Sequence, residues 1–304
     1  MDKKPPFKSG MVSIIGRPNV GKSTLLNAII DTKVAIVSKI PQTTRNQIRG
    51  IYNDERGQIV FIDTPGIHYG RDNLDRYMNE SSSITIHDAD CIIYLVDLSR
   101  RIGEEEHLVA GKLKDVKAHV VMGLNKMDLG QNRIPEYIEL WEQTKGKPVT
   151  EMKDFTLLPV SGFKDVNVDT LIDILFAILP EGPAYYPADT FMDVPQKMAM
   201  ADIIREKLFL SLKQELPHSV GVFIEGLSTK RNTTNIKALV YVEKNTHKEI
   251  VIGKGGAMMK RIGTQAREEL EKMVDGKVFL ELRVKTQANW RDDISILTDL
   301  GYRL

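Results

Sequence analysis

The sequence predicts an α/β domain built on a mostly parallel sheet over residues 1–180. A smaller α+β domain follows over 198–304, with a linker at 181–197 between them. Three observations carry this. In the first 180 residues, apolar β-branched runs without polar alternation take turns with helical patterns, as buried parallel strands and their covering helices do. Pro180, Pro183, Pro187 and Pro195 then crowd one segment, a density that breaks helices and strands alike. Past Lys197 the order changes to helix, strand, strand, helix, strand, helix. A length of 304 residues fits about two domains.

Strands are expected at Met11–Ile15, Ile59–Ile62, Cys91–Val96, His119–Leu124 and Thr156–Val160, each a short apolar run. Helices are expected at Lys22–Ile30, Leu74–His87, Glu104–Leu113, Pro135–Gln143 and Asp169–Leu179. After the prolines, Met198–Leu216 places Ala201, Ile204, Leu208 and Leu212 at helical spacing. Ser219–Ile224 and Ile236–Glu243 read as strands, with Asn232–Asn235 in a long hairpin turn. A glycine-rich turn follows Ile250-Val251-Ile252 and opens a helix from Ala257 to about Val274. The strand Val278–Val284 and a short helix over about Asn289–Leu300 close the chain.

Composition excludes several classes. Lys plus Arg number 42 against 41 Asp plus Glu, and charged residues make up 27%, so the chain is neither a disordered polyelectrolyte nor a uniformly basic coat. No apolar run reaches membrane-spanning length, and Met1-Asp2-Lys3-Lys4-Pro5-Pro6 lacks the apolar stretch of a signal peptide. The lone Cys91 allows no internal disulfide and fits a reducing cytosol. Positive charge is local. Residues 226–262 carry Lys230, Arg231, Lys237, Lys244, Lys248, Lys254, Lys260 and Arg261 against only Glu243 and Glu249. By itself such a window is also what a solvated hairpin face looks like.

Gly16-Arg17-Pro18-Asn19-Val20-Gly21-Lys22-Ser23, with Thr24 following, fits a phosphate-binding loop between a strand and a helix. Its glycines let backbone N–H groups curl around phosphate oxygens at a helix N-terminus. Lys22 is placed to neutralise the β- and γ-phosphates, and the Ser23 hydroxyl to ligate Mg²⁺. Asp63-Thr64-Pro65-Gly66 ends the Ile59–Ile62 strand, where Mg²⁺ and its waters need a second anionic anchor. Gly66 lets the backbone approach and report the γ-phosphate. Asn125-Lys126-Met127-Asp128 ends the next strand but one. The Asp128 carboxylate can accept both N1–H and N2–H₂ of guanine, a donor pair that adenine lacks. Asn125 and the Lys126 stem brace that loop, and Ser161-Gly162 supplies an N–H toward guanine O6. These residues imply GTP or GDP rather than ATP.

Together these motifs resemble the translation-factor-like branch of P-loop GTPases over residues 11 to about 178. The resemblance implies that Gln42-Thr43-Thr44-Arg45 is a first switch, in which one threonine completes the Mg²⁺ shell. Thr44 is the one favoured, although sequence does not separate it from Thr43. It also implies catalysis centred on Lys22, Thr44, Gly66 and Asn19. Ile67 stands where many such GTPases place a water-orienting glutamine, a task isoleucine cannot perform. Asn19 resembles the asparagine of members that hold K⁺ beside the phosphates, implying slow hydrolysis that is faster in K⁺ than in Na⁺.

In the second domain, Gly253-Lys254-Gly255-Gly256 after Ile252 has the form of a KH turn, free of side chains that would keep an RNA backbone away. Lys254, Lys260 and Arg261 favour phosphate, and Ile250, Ile252 and Ile262 are expected to line a groove for bases. The segment resembles a type II KH domain, which implies the order α-β-β-α-α-β. A P-loop GTPase domain joined to one KH domain resembles the bacterial Era family over essentially the whole chain. Gly16–Thr24, Gln42–Arg45, Asp63–Gly66, Asn125–Asp128, Glu215-Leu216-Pro217, Val251–Gly256 and Trp290-Arg291 are among the carriers. Gly162 departs from the family's usual alanine, and Met259 from a β-branched residue.

The resemblance implies a monomeric, cytoplasmic GTPase that binds small-subunit ribosomal RNA near its 3′ end during subunit maturation. A pure RNA-binding module would need none of Lys22, Ser23, Asp63 and Asp128, and a tRNA-modification or membrane-traffic GTPase would lack the second half. Peripheral contact with the inner face of the membrane through basic residues stays open, with no lipidation signal or anchor helix in its support.

Overall fold

The structure, a computed structural model, describes residues 6–38, 43–129, 133–212 and 216–302. Gln42 and Glu215 lie outside the described residues. Contacts divide the chain into two units. The first comprises the described residues up to Ala35, with Thr44–Gly70 and Met78–Asp193. The second comprises Arg71–Tyr77 and the described parts of Ile36–Thr43 and Val194–Leu304.

In the first unit the strands are β1 (Lys8–Ile15), β2 (Ile48–Asp54), β3 (Gly57–Asp63), β4 (Cys91–Asp97), β5 (His119–Asn125), β6 (Phe155–Pro159) and the two-residue β7 (Met192–Asp193). They form one sheet in the order β6-β5-β4-β1-β3-β2-β7. β1, β3, β4, β5 and β6 pair in parallel, and β2 and β7 add antiparallel edge strands. Every residue of β3 and β4 is buried, which is why their sequences show no alternation. The helices are α1 (Lys22–Ile30), α2 (Asn73–Asp88), α3 (Glu104–Lys112), α4 (Ile134–Lys145) and α5 (Val168–Ile178). Cys91 is buried in β4, and burial pushes its thiol up to about 12.

Two features depart from the sequence reading. β2, where no strand was expected, pairs with β3 from Ile48↔Asp63 to Asp54↔Gly57. The proline-rich segment is no free tether. The buried Gln58 side chain accepts from Tyr185 N–H (2.7 Å) and Tyr186 N–H (2.9 Å), and Met192–Asp193 pairs with β2. The units part between Asp193 and Val194.

The second unit contains α6 (Gln196–Ser211), β8 (Gly221–Lys230), β9 (Thr233–Val242), α7 (Asn245–Ile252), α8 (Ala257–Val274), β10 (Lys277–Thr286) and α9 (Ile294–Asp299). This is the α-β-β-α-α-β order implied by the resemblance. The pattern reading alone missed α7, because Ile250–Ile252 looks like a strand when isolated. The expected long hairpin turn is instead tight, with Arg231 and Asn232 both at positive φ (46° and 63°) between β8 and β9. β9 pairs antiparallel with β8 and parallel with β10. Ile204 and Leu208 of α6 pack with Ile262, Ala266 and Leu270 of α8 in one core.

Within this unit, Arg205 of α6 donates to the Thr43 carbonyl (3.0 Å), and Glu206 accepts from Val37 N–H (3.1 Å). Arg291 donates to Asp72 (2.5 Å) and Asp75 (3.0 Å). Val37 and Thr43, ahead of Thr44, and Asp72 and Asp75, beyond Gly66, are thus held by side chains of α6 and of the C-terminal segment.

Candidate nucleotide site and nucleic-acid groove

The turn from β1 to α1 is shaped by its glycines. Gly21 sits at φ +109, and a Cβ there would meet the Asn125 side chain at 2.3 Å. A Cβ on Gly16 would meet the Leu95 carbonyl at 2.5 Å. Asn19 is also left-handed, at φ 61. The loop is tied to the Asn125–Asp128 segment beside it: Asn125 donates to Val20 O (2.7 Å) and Lys126 to Asn19 O (2.9 Å). Lys126 also pairs with the buried Asp97 carboxylate at 2.7 Å. Pro18 and Val20 are buried, so only part of the loop faces outward.

Lys22 is 6% exposed, and its ammonium donates to the Gly16 and Arg17 carbonyls, each at 3.2 Å. Burial pushes it down to about 8, with Asp63 and Glu106 opposing the fall. Ser23 Oγ donates to Asp63 Oδ2 (2.6 Å) and lies 2.8 Å from Thr44 Oγ1, which is itself 3.4 Å from the same carboxylate oxygen. Thr43 points elsewhere, its hydroxyl 2.9 Å from Ser38 Oγ. The structure therefore places Thr44 beside Ser23 and Asp63. Burial pushes Asp63 up to about 6, against the pull of Lys22 and the two hydroxyls, and its Oδ1 is buried without a hydrogen-bond partner. A carboxylate oxygen stranded beside two hydroxyls and a lysine has the chemistry of a site for a hydrated divalent cation.

Thr64 Oγ1 donates to the Ile14 carbonyl (3.0 Å), and Pro65 O accepts from Ser82 Oγ (2.9 Å), so this turn is fixed on both sides. A Cβ on Gly66 would come within 2.7 Å of the Pro18 backbone, so only glycine lets this turn approach the phosphate loop. Ile67 is fully buried, its side chain in the core with Tyr94 and Val96 and its N–H donating to the Gly16 carbonyl (3.3 Å). Asp128 lies in the short 3₁₀ turn Met127–Leu129, its carboxylate 3.5 Å from Lys164 Nζ. Ser161 is buried, its backbone exchanging hydrogen bonds with Val166. A Cβ on Gly162 would meet the Leu25 backbone at 2.6 Å, a reason for glycine where alanine is usual.

In the second unit Gly253, Gly255 and Gly256 all have positive φ (75°, 58° and 80°), and Gly256 caps α8. Lys254, Gly255, Lys260 and Arg261 are exposed around the turn, while Ile252 is half-buried. Beside the turn lies a cavity of about 550 Å³ lined by Ile252, Gly256, Met259, Lys260, Thr264, Arg267, Phe279 and Leu280, among others. Two expectations are corrected. Ile262 is wholly buried in the core, because its helix face points at α6, and Ile250 is 52% exposed and does not line the cavity. Arg267 and Phe279 line it instead. Phe279 is 60% exposed, and an aromatic on the polar side of an alternating strand was the signal for it.

Residues 11–126 match the family described as 50S ribosome-binding GTPase, and residues 215–291 match the KH domain family. The GTPase Era of Halothermothrix orenii is 44% identical over 298 residues, 98% of this chain and 99% of the relative. That of Alkaliphilus metalliredigens is 43% identical over 97% of this chain and 99% of the relative. This chain belongs to the Era family of GTPases. Its fold matches a crystal structure of Era in complex with MgGDPNP and nucleotides 1506–1542 of 16S ribosomal RNA. The TM-score is 0.89 and the identity 32%, covering 98% of this chain and 100% of that one. A variant of Aquifex aeolicus Era bound to GDP·AlF₄⁻ matches at the same TM-score and 33% identity, again over 98% and 100%. The chain is accordingly a GTPase with a KH domain.

Proposed function

We propose that this chain is a GTP-driven switch that binds small-subunit ribosomal RNA near its 3′ end and acts in assembly of the small ribosomal subunit. The observation that carries it is the pairing, in one chain, of two built sites. One gathers Lys22, Ser23, Thr44 and Asp63 around an unsatisfied carboxylate oxygen. The other sets a left-handed glycine turn and exposed cations beside an apolar groove. The Era complex with 16S ribosomal RNA supports the RNA assignment.

Ser23, Thr44 and Asp63 would hold Mg²⁺, which neutralises charge on the β- and γ-phosphates when bound. The chain's own groups do the rest. Loop N–H groups and the α1 N-terminus orient the phosphates, and Lys22 supplies a fixed positive charge already stripped of water. Asp128 selects guanine, and Gly66 places a backbone N–H at the γ-phosphate. With Ile67 in the core, no side chain at that position orients water. Asn19 is the group proposed to hold K⁺ there.

Coupling follows from where the reporting segments are held. Val37, Thr43 and the Arg71–Tyr77 segment are fastened through Arg205, Glu206 and Arg291 to the unit that carries the RNA groove. Ordering of Thr44 and Gly66 by a γ-phosphate pulls on both segments, so nucleotide state changes RNA affinity, and by linkage RNA changes nucleotide affinity equally. The protein is proposed to work as a monomer in the cytoplasm. Among the described residues no helix is long and apolar enough to cross a membrane. Crosslinking to RNA in cells with sequencing of the fragments tests the assignment. Recovery of 3′-terminal small-subunit ribosomal RNA is expected, and recovery of unrelated transcripts would refute it.

A further inference from the structure

Behind the phosphate loop lies a buried polar cluster whose Glu106, Tyr94 and Tyr137 belong to none of the nucleotide motifs. Arg17 belongs to the loop by sequence, yet its side chain turns inward and is 2% exposed. Its guanidinium donates to Tyr137 Oη (3.0 Å) and to the carbonyls of Arg101 (3.1 Å) and Asp97 (3.4 Å). Its Nε lies 3.0 Å from Glu106 Oε2, an ion pair without an aligned hydrogen bond. Glu106, in the first turn of α3, is wholly buried. Tyr94 Oη donates to its Oε1 (2.7 Å), and Tyr137 Oη approaches its Oε2 at 3.2 Å. Tyr94 and Tyr137 are also fully buried.

We infer that Glu106 is a positioning residue for the phosphate loop. It holds Arg17, and through Arg17 it sets the loop backbone between Gly16 and Val20 at the distance the β-phosphate requires. Stability alone does not account for the arrangement. A buried ion pair is commonly no more stabilising than apolar side chains of the same volume, so its retention here needs a geometric reason. That reason is present. The loop has two tethers on its far side, Asn125 to Val20 O and Lys126 to Asn19 O. Arg17 supplies the opposing anchor toward α3 and α4. The Asp97 strand end joins both, its carboxylate taking Lys126 and its carbonyl taking Arg17. With the anchor cut, the loop keeps its glycines, Lys22 and the Arg100 bond to the Pro18 carbonyl (3.3 Å) but loses its own side-chain anchor toward α3 and α4. Displacement of phosphate-binding N–H groups by a fraction of an ångström is then paid in affinity for the phosphate they cradle.

This inference rests on the guanine-nucleotide reading of the site, and the two fail differently. The experiment measures GDP affinity by fluorescence, and GMP affinity by displacement at millimolar concentration, in the full chain. Absence of guanine-nucleotide binding by the unaltered protein would sink the parent reading. For Glu106→Gln we expect GDP to bind about tenfold more weakly and GMP, which lacks the β-phosphate, to bind unchanged. The double variant Arg17→Met/Glu106→Leu removes both buried charges; the Tyr94 hydroxyl loses its acceptor, so a modest fall in unfolding temperature is expected together with the same selective loss. Tyr137→Phe keeps both charges and should show a smaller loss, about threefold, in the same direction. A GDP-to-GMP affinity ratio equal to that of the unaltered protein in every folded variant would overturn the inference.

Discussion

The phosphate-binding lysine is expected to lower the stability of the empty protein. Lys22 is 6% exposed, its hydrogen bonds among the described residues are to two backbone carbonyls, and burial brings it from 10.5 down to about 8. That fall corresponds to roughly 3 kcal/mol of penalty on the charged form at neutral pH. Lys22→Met removes the penalty, but it also withdraws the cation nearest Asp63, so the expected net gain is about 1–2 kcal/mol. The assay is urea or thermal unfolding of protein freed of nucleotide and metal with a chelator. At pH 7 the variant should unfold roughly 3–6 °C higher than the unaltered chain. The pH dependence has a definite sign. Between about 8 and 10.5 the unfolded chain holds the lysine proton and the folded one does not, so the stability of the unaltered protein rises with pH. By pH 9.5 roughly 2 kcal/mol of the penalty is gone, so the advantage of the variant should have vanished there. Nucleotide binding by the variant should be lost throughout. An empty Lys22→Met protein less stable than the unaltered chain at pH 7 would refute this reasoning.

Other expectations follow from single residues. Asp128→Asn should weaken GDP by at least about a hundredfold while leaving the RNA groove intact, and unchanged GDP affinity would remove the basis for guanine selection. Gly253→Ala places a Cβ within 2.7 Å of Met258 Cβ at φ +75, whereas Gly255→Ala meets no atom within 4 Å. The first should cost clearly more stability than the second, whose cost is about 1 kcal/mol of backbone strain; equal unfolding temperatures would contradict the turn geometry. GTP hydrolysis at matched ionic strength should be faster in KCl than in NaCl, and equal rates would dismiss the role given to Asn19.

Much of this was legible in the sequence because the information is local. A phosphate loop needs its glycines and lysine in a fixed order, and the central strands β1, β3, β4 and β5 carry apolar runs without regular polar alternation because both faces are covered. What was not legible depends on distant partners. β2 mixes Arg49, Asn53 and Asp54 with its apolar residues, and only pairing with β3 makes it a strand. The proline-rich segment gave no hint that Gln58 would hold it. Thr43 and Thr44 are chemically alike, and only the chain path sends one hydroxyl to Asp63 and the other to Ser38. Ile262 read as groove and proved core, because helical phase within α8 decides which isoleucine meets α6. Glu106 left a faint trace, a charged residue in helical register with buried Val109 and Ala110, but its partner Arg17 is 89 positions away.

The central claim is that one chain couples a guanine-nucleotide site to an RNA groove. Its most direct test is fluorescence anisotropy with a labelled oligonucleotide of the 3′-terminal segment of small-subunit ribosomal RNA, titrated in GDPNP and in GDP. The account predicts dissociation constants that differ by at least about fivefold, tighter with GDPNP, and loss of binding in both states for Gly256→Asp. Equal dissociation constants in the two nucleotides, or binding that survives Gly256→Asp, would contradict it.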